Sequence, residues 1–179
     1  EASPVHSVVL MDILESFRRF AQYNEWMNDM LYETCSRLSQ DELKLDMQVF
    51  FGSIHGTLNH ILLADRVWLG RLAGYPFKVD SLRQELYPEF HLLCQARKHT
   101  DHDIKRMVAE LSPADIDKPV TYWSISTNRR ASATRGQILL HLFNHQTHHR
   151  GQITSMLSQL AHNYGVTDLI ALPETTLAA

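Results

Sequence analysis

The sequence predicts an all-α fold, a bundle of four long helices, and three observations carry that prediction. Breakers are sparse, with 7 Gly and 6 Pro in 179 residues, which favours long helices over many short strands. Apolar residues recur at three- and four-residue steps through long stretches free of both breakers. Helix start and stop signals then fall where those stretches begin and end.

The first helix is expected over about 8–38. Leu10, Ile13, Leu14, Phe17, Phe20, Ala21 and Tyr23 form its apolar stripe, and Trp26, Met27, Met30 and Leu31 continue it. Ser39 with Glu42 three residues on has the form of a capping box and opens a short helical turn in the connection. Ser53 is a good N-cap for a second helix over 54–73, where Gly74 and Pro76 stop it. Residues 75–87 read as an irregular link. A third helix is expected over 88–111, with Pro88 in its first turn and Ser112-Pro113 at its end. Val120–Ile125 is strand-like, Thr127-Asn128 a turn and Arg130–Ala133 its partner, so a small hairpin precedes the last helix. Thr134 caps that helix, expected over 135–163 and followed by Gly165. The length suits one domain across 1–179.

Composition excludes several classes. The chain is 44% hydrophobic and 21% charged with a formal net charge of -3, so it lacks the basic excess of a nucleic-acid binder. No apolar run reaches the roughly 18 residues of a membrane span. Glu1–Met11 has no basic region ahead of Val8–Met11, so no signal peptide is expected. Cys35 and Cys94 form neither a CxxC pair nor a disulfide framework, which fits a reducing cytoplasm. There is no HExxH, GxGxxG, P-loop or GxSxG, and no Glu-x-x-His pair of a ferritin-like di-iron site.

Histidine is the unusual residue. The chain has 11, and His141, His145, His148 and His149 crowd one stretch of the last helix. At about 100° per residue with His141 at zero, Ile138, Leu142, Ile153, Met156, Leu157 and Leu160 gather around roughly 100°. His149 and His145 then fall at about 80° and about 40°, on or beside that stripe, and project inward together. His141 and His148 stand at its edge and are candidates for hydrogen-bonded support. So is Gln152, at about 20° on the same wheel. Two imidazoles are not a metal site, and a further ligand must come from another helix. His60 is the candidate, although its helix is apolar nearly all round and its inward face is poorly defined. Asp65 points about 140° away from it. Without a metal these residues read as satisfied core histidines.

Three motifs settle that choice by resemblance. Phe51-Gly52-Ser53-Ile54-His55-Gly56-Thr57-Leu58-Asn59-His60-Ile61-Leu62 resembles the second-helix motif of the DinB family. Asn144-His145-Gln146-Thr147-His148-His149-Arg150-Gly151-Gln152 resembles its fourth-helix motif, and Tyr23-Asn24-Glu25-Trp26-Met27-Asn28 its first. The resemblance implies a four-helix bundle that binds one divalent metal ion per chain, zinc or nickel, through His60, His145 and His149. It also implies a homodimer. The family name records induction by DNA damage, hence a stress-response association, and not contact with DNA.

Three histidines leave a coordination position open, the mark of a catalytic site. Such an ion acidifies a bound water or holds a thiol as thiolate. The superfamily that DinB proteins resemble includes transferases and isomerases using mycothiol, bacillithiol or glutathione. The leading expectation is therefore metal-dependent transfer of a low-molecular-weight thiol to a small electrophilic substrate. Hydrolysis is the rival, and a non-catalytic metal-bearing, ligand-binding bundle the alternative.

The remaining candidates have plainer readings. His55 is an N-terminal helix residue off the His60 face. His91, His99 and His102 form a solvated face. Arg150 is a structural ion-pair partner. Trp26 and Trp68 are core, and Trp123 either lines a substrate mouth or packs a loop. Asn59 and Asn144 anchor the helices beside the ligands, and Gly151 admits another backbone.

Overall fold

The computed structural model describes residues 12–174. It contains α1 (Ile13–Cys35), α2 (Gln40–Lys44), α3 (Ile54–Ala73), α4 (Phe90–Ala109), β1 (Pro119–Ser124), β2 (Arg129–Thr134) and α5 (Arg135–Gln159). Single turns of 3-10 helix at Pro113–Asp115 and Leu169–Ala171 complete it. This is an all-α four-helix bundle with one small hairpin. The chain's α1 packs on α4 and α3 on α5, and the ring closes through α3 with α4 and α1 with α5.

The ends of the helices follow from their caps. Ser39 Oγ accepts from the Glu42 amide while Glu42 reaches back to the Ser39 amide, a complete capping box for α2. Ser53 Oγ accepts from the Gly56 amide at the start of α3, and Gly74 ends that helix at φ 78. Thr134 and Gln137 form the box that starts α5.

Three expected boundaries are corrected. Asp12 is extended and its Oδ1 takes the Glu15 amide at 2.7 Å, so α1 starts at Ile13 rather than at 8. The earlier apolar stretch Val8–Met11, with the leader reading of Glu1–Met11, lies outside the described residues. Pro88 is not in the first turn of α4, because Glu89 is the cap, and the Pro88 carbonyl accepts from Lys44 Nζ instead. The last helix stops at Gln159, not 163. Ala161 turns to φ 58, Ala161 N–H bonds to Ser158 O and His162 N–H to Leu157 O. That is a Schellman stop built without glycine.

The hairpin pairs Pro119 with Thr134 through Ser124 with Arg129, and Asn128 turns it at φ 50. Its inner face lies on the α3 side, where Trp68 meets the Tyr122 ring edge-on.

A polar layer divides the core. One apolar cluster includes Met27, Leu31, Leu58, Leu62, Leu93, Ile153 and Leu157. The other includes Phe17, Leu72, Ile104, Val108, Ile138, Leu139 and Leu142. Between them along each helix stand Asn24 and Asn28, Asp65, Arg97 and Asp101, and Gln146 and Arg150, all buried. Arg97 Nη1 lies 2.5 Å from Asp65 Oδ2, and Arg97 Nε donates to Asp101 Oδ2 at 3.0 Å. Asn24 and Asn28 donate to the same Asp101 carboxylate. Arg150 donates to Asn24 Oδ1 and stacks over Tyr23. One guanidinium, that of Arg97, thus answers two carboxylates inside the bundle, with amide donors completing Asp101, which is how buried charge is tolerated. Arg150 is linked to Asp101 through Asn24 rather than paired with a carboxylate directly, which corrects its expected role as an ion-pair partner.

Candidate metal centre

Where α3 passes α5, beside the polar layer, three imidazoles converge. His60 Nε2 lies 3.2 Å from His145 Nε2, and His149 Nε2 lies 3.1 Å from the same atom. The donor atoms of all three lie within 4.8 Å of one another. Four-residue spacing on α5 stacks His145 and His149 on one face, and His60 faces them from the middle of α3.

The outer nitrogens fix the inner ones. His60 Nδ1 lies 3.0 Å from the Leu82 carbonyl, which can only accept, so Nδ1 carries the proton and Nε2 presents a lone pair. Gln152 Oε1 does the same for His149 Nδ1 at 2.8 Å. Gln152 Nε2 approaches His148 Nε2 at 3.4 Å, in keeping with that amide orientation. Two bare lone pairs therefore face His145 Nε2, whose single site can serve only one of them well. A Lewis acid serves all three.

The spacing fits one. Zinc–imidazole bonds of about 2.0–2.1 Å separate donors by about 3.3 Å at tetrahedral angles and about 2.9 Å at right angles. The two spacings to His145, 3.1 and 3.2 Å, fall between, and His60 and His149 stand within 4.8 Å of each other. The electrostatics agree with the geometry. Burial pushes the His60 imidazole down to about 4, against the opposing pull of the Leu82 carbonyl. Burial and the neighbouring histidines push His145 down to about 3. Burial lowers His149 as well, although its bond to Gln152 works the other way. All three are neutral at pH 7, the form that ligates.

A tight turn supports the site. Gly52, at φ 77, returns its amide to Val49 O and its carbonyl to the Met47 amide. This presents Phe51, which stacks on His60 with centroids 3.7 Å apart and meets His149 edge-on at 5.5 Å. The link after α3 is pinned from inside. Asn59 Oδ1 accepts the amides of Leu86 and Tyr87, and Asn59 Nδ2 donates to Tyr87 O. His55, 1% exposed, adds a bond from Nε2 to Tyr87 O and contacts Glu85. The link so held carries Leu82, whose carbonyl sets His60.

The sequence of the DinB family, as a family model, matches residues 11–177. This chain belongs to the DinB family. It is 26% identical over 156 residues to Protein DinB of Bacillus subtilis (strain 168), across 82% of this chain and 87% of that protein.

Among the other sequence candidates, His141 and His148 are exposed. The His141 ring packs between Trp68, at 5.0 Å, and His145, at 5.6 Å, while His148 lies against His149. Asp65 belongs to Arg97 and not to the histidines. His91, His99 and His102 are exposed. Trp26 and Trp68 are partly buried and pack against the two core clusters, and Trp123 is 59% exposed and faces away, leaving Tyr122 to line the cleft. Asn144 is exposed, and Asn59 anchors both its helix, by donating to His55 O, and the link that follows. Gly151 admits no backbone, since a Cβ there would meet nothing within 4 Å. Close approach belongs to Gly56, whose added Cβ would lie 2.2 Å from the Phe51 carbonyl oxygen. Leu82, Phe51 and Arg71 were not singled out by sequence. Leu82 acts through its backbone and had no signal, whereas Phe51 stands inside the motif.

Two clefts meet at the centre. The larger, about 690 Å³, runs past Lys44, Phe51, His55, Asn59, His60 and Arg83. The smaller, about 280 Å³, lies under the hairpin and is bounded by His60, His145, His141, Trp68, Arg71 and Tyr122. His60 is the wall they share. No helix among the described residues is long and apolar enough to cross a membrane.

Proposed function

We propose that this DinB-family chain is a divalent-metal-dependent enzyme that transfers a low-molecular-weight thiol to a small electrophile, with zinc or nickel held by His60, His145 and His149. The observation that carries the reading is the meeting of two clefts at His60, one of a triad of neutral imidazoles of which two are oriented by backbone or amide oxygens. A hydrolase needs room for one organic substrate beside the ion, and a transferase needs room for two. When bound, the ion supplies Lewis acidity that favours the thiolate form of a thiol.

The chain's own residues do the rest. Leu82 and Gln152 hold His60 and His149 in the ligating tautomer. Phe51 covers one side of His60 and limits water there. Neither cysteine is a ready thiolate: burial pushes the Cys35 thiol up to about 12 and raises Cys94. The attacking sulfur therefore comes from outside. In the transfer the new S–C bond forms as the bond from carbon to its leaving group breaks, and the thiol proton departs with the leaving group or to solvent.

The test is elemental analysis of untagged protein, followed by zinc or nickel reconstitution and thiol-loss assays against a panel of electrophiles. About one ion per chain with metal-dependent thiol loss, both abolished by His60→Ala and His149→Ala, supports the reading. Ester cleavage without thiol loss makes it a hydrolase. Ion and ligand bound without turnover makes it a non-catalytic binding bundle.

A further inference from the structure

The smaller cleft has a chemistry of its own. Of its lining residues none is acidic. Arg71, in the last turn of α3, is its one permanent cation. The guanidinium carbon lies 4.3 Å from the Trp68 ring centre and 4.5 Å from that of Tyr122. Arg71 Nη2 donates to the Trp123 carbonyl at 2.8 Å. Three neutral partners thus fix the group in place, from a helix and from a strand of the hairpin.

Fixing a guanidinium this way leaves its charge unanswered. Arg97 has two aspartates, but among the described residues no carboxylate lies within 4.0 Å of Arg71, a condition it shares with Arg66, Arg135 and Arg150. Of its five N–H donors, one is used by Trp123. Burial lowers its basicity, so the site gains from an added anion. Ser124 and Ser126 bring hydroxyls to the same wall, and Val67, Leu82 and Ile125 make the rest apolar.

We propose that the cleft under the hairpin binds a small monoanionic substrate by its carboxylate, with Arg71 as the anchoring residue and the body of the molecule lying toward His60 and His145. This rests on the transferase reading above and assigns its electrophile. A planar carboxylate matches the planar fork of a guanidinium. One cation balances one negative charge, whereas a phosphate dianion would call for a second. The volume of about 280 Å³ is at the small end of ligand cavities. The larger cleft mixes Lys44 and Arg83 with Asp46 and Glu85 and selects no sign of charge.

Benzoate and its neutral isostere benzamide are the probes, titrated calorimetrically into zinc-loaded and metal-stripped protein. Benzoate is expected to bind at least about tenfold more tightly than benzamide, with and without zinc. Arg71→Gln is expected to remove that preference and Arg71→Lys to keep part of it, with zinc stoichiometry unchanged. Equal binding of the two probes by the unaltered protein overturns the proposal, and so does undiminished preference in Arg71→Gln. A preference seen only with zinc assigns the carboxylate to the ion and also overturns it. If Arg71→Gln fails to fold, the probe comparison on the unaltered, metal-stripped protein decides. Zinc stoichiometry on the same samples tests the metal reading separately, so a chain that takes no zinc can still pass or fail here.

Discussion

The Phe51 ring lies flat on the His60 imidazole, with centroids 3.7 Å and planes 17° apart. Phe51 is outside α3, on a turn that reaches the site because Gly56 has no side chain. An alanine Cβ at that position would sit 2.2 Å from the Phe51 carbonyl oxygen, which is backbone and cannot swing aside. Gly56→Ala is therefore expected to displace the turn, cost about 1–3 kcal/mol of stability, and weaken zinc binding by about tenfold. Phe51→Leu leaves the turn in place and should lose less of each. Chelator competition and urea unfolding measure both. Wild-type zinc affinity in Gly56→Ala would remove the turn from the description of the site.

Gln152 would act on a bound ion only through His149. Its Oε1 accepts the Nδ1 proton at 2.8 Å and so aims Nε2 at the triad. Gln152→Leu keeps the helix and removes the acceptor. The expected result is a loss of 10–100-fold in metal affinity, the usual range for such partners. Gln152→Glu, which still accepts, should retain most of it. Equal losses in the two variants would show that the bond does not orient the ring.

Much of this was legible in the sequence, and the parts that were not share a cause. Ser53, Gly74, Ser39 with Glu42, and Thr134 announce their caps by residue type, so those helix ends could be read directly. His145 and His149 lie on the inward face by periodicity alone. His60 needed a motif, since 13 residues of α3 are buried and no polar face gives its direction. The end of α5 was hidden because an alanine takes the left-handed position where the sequence rule looks for glycine. Leu82 and Arg71 were hidden because their roles depend on what the folded link and hairpin bring against them. The polar layer was equally hidden: Arg97 and Asp101 look like an ordinary solvent-facing pair four residues apart until α4 is seen to turn them inward.

The low basicity of the triad has a consequence for metal uptake. Unperturbed histidines, at about 6.5, are mostly protonated at pH 6.0, and three would release about two protons to an incoming ion. Here His60 is near 4 and His145 near 3, with His149 also lowered. Depressed values mean that the protons have already left the folded, metal-free site. Zinc binding at pH 6.0 should therefore release less than one proton from the histidines, and protonation of His60 should weaken it only as pH drops toward about 4. Calorimetry in two buffers of unlike ionisation enthalpy gives the number directly. Release of about two protons would mean that the imidazoles are solvated as in an open peptide.

The polar layer makes Arg97 the most sensitive position outside the site. It is 2% exposed and faces Asp65 and Asp101, which are 1% and 3% exposed. Burial raises Asp101 to about 6 even with Arg97 beside it. Arg97→Met leaves two buried carboxylates without their cation, at an expected cost of about 3–5 kcal/mol. Replacing all three residues with apolar ones of similar volume should recover most of that, since the desolvation cost disappears with the charges. Urea unfolding of the single and triple variants tests the account. A loss below about 1 kcal/mol in Arg97→Met would show that water reaches the layer.

Ala161 offers the opposite test, a substitution that should stabilise. It holds φ 58 at the Schellman stop of α5 and is exposed, so its methyl group gains nothing from packing. The left-handed conformation costs a residue with a Cβ roughly 1–2 kcal/mol. Glycine removes that strain but adds freedom to the unfolded chain, which takes back part of the gain. Ala161→Gly is expected to stabilise by about 0.5–1 kcal/mol with zinc affinity unchanged, because the stop lies three turns beyond His149. Ala161→Val should move the other way, since a β-branched residue tolerates positive φ least. If both variants matched the wild type in urea, the helix would have to end in solution without the two bonds from Ala161 and His162.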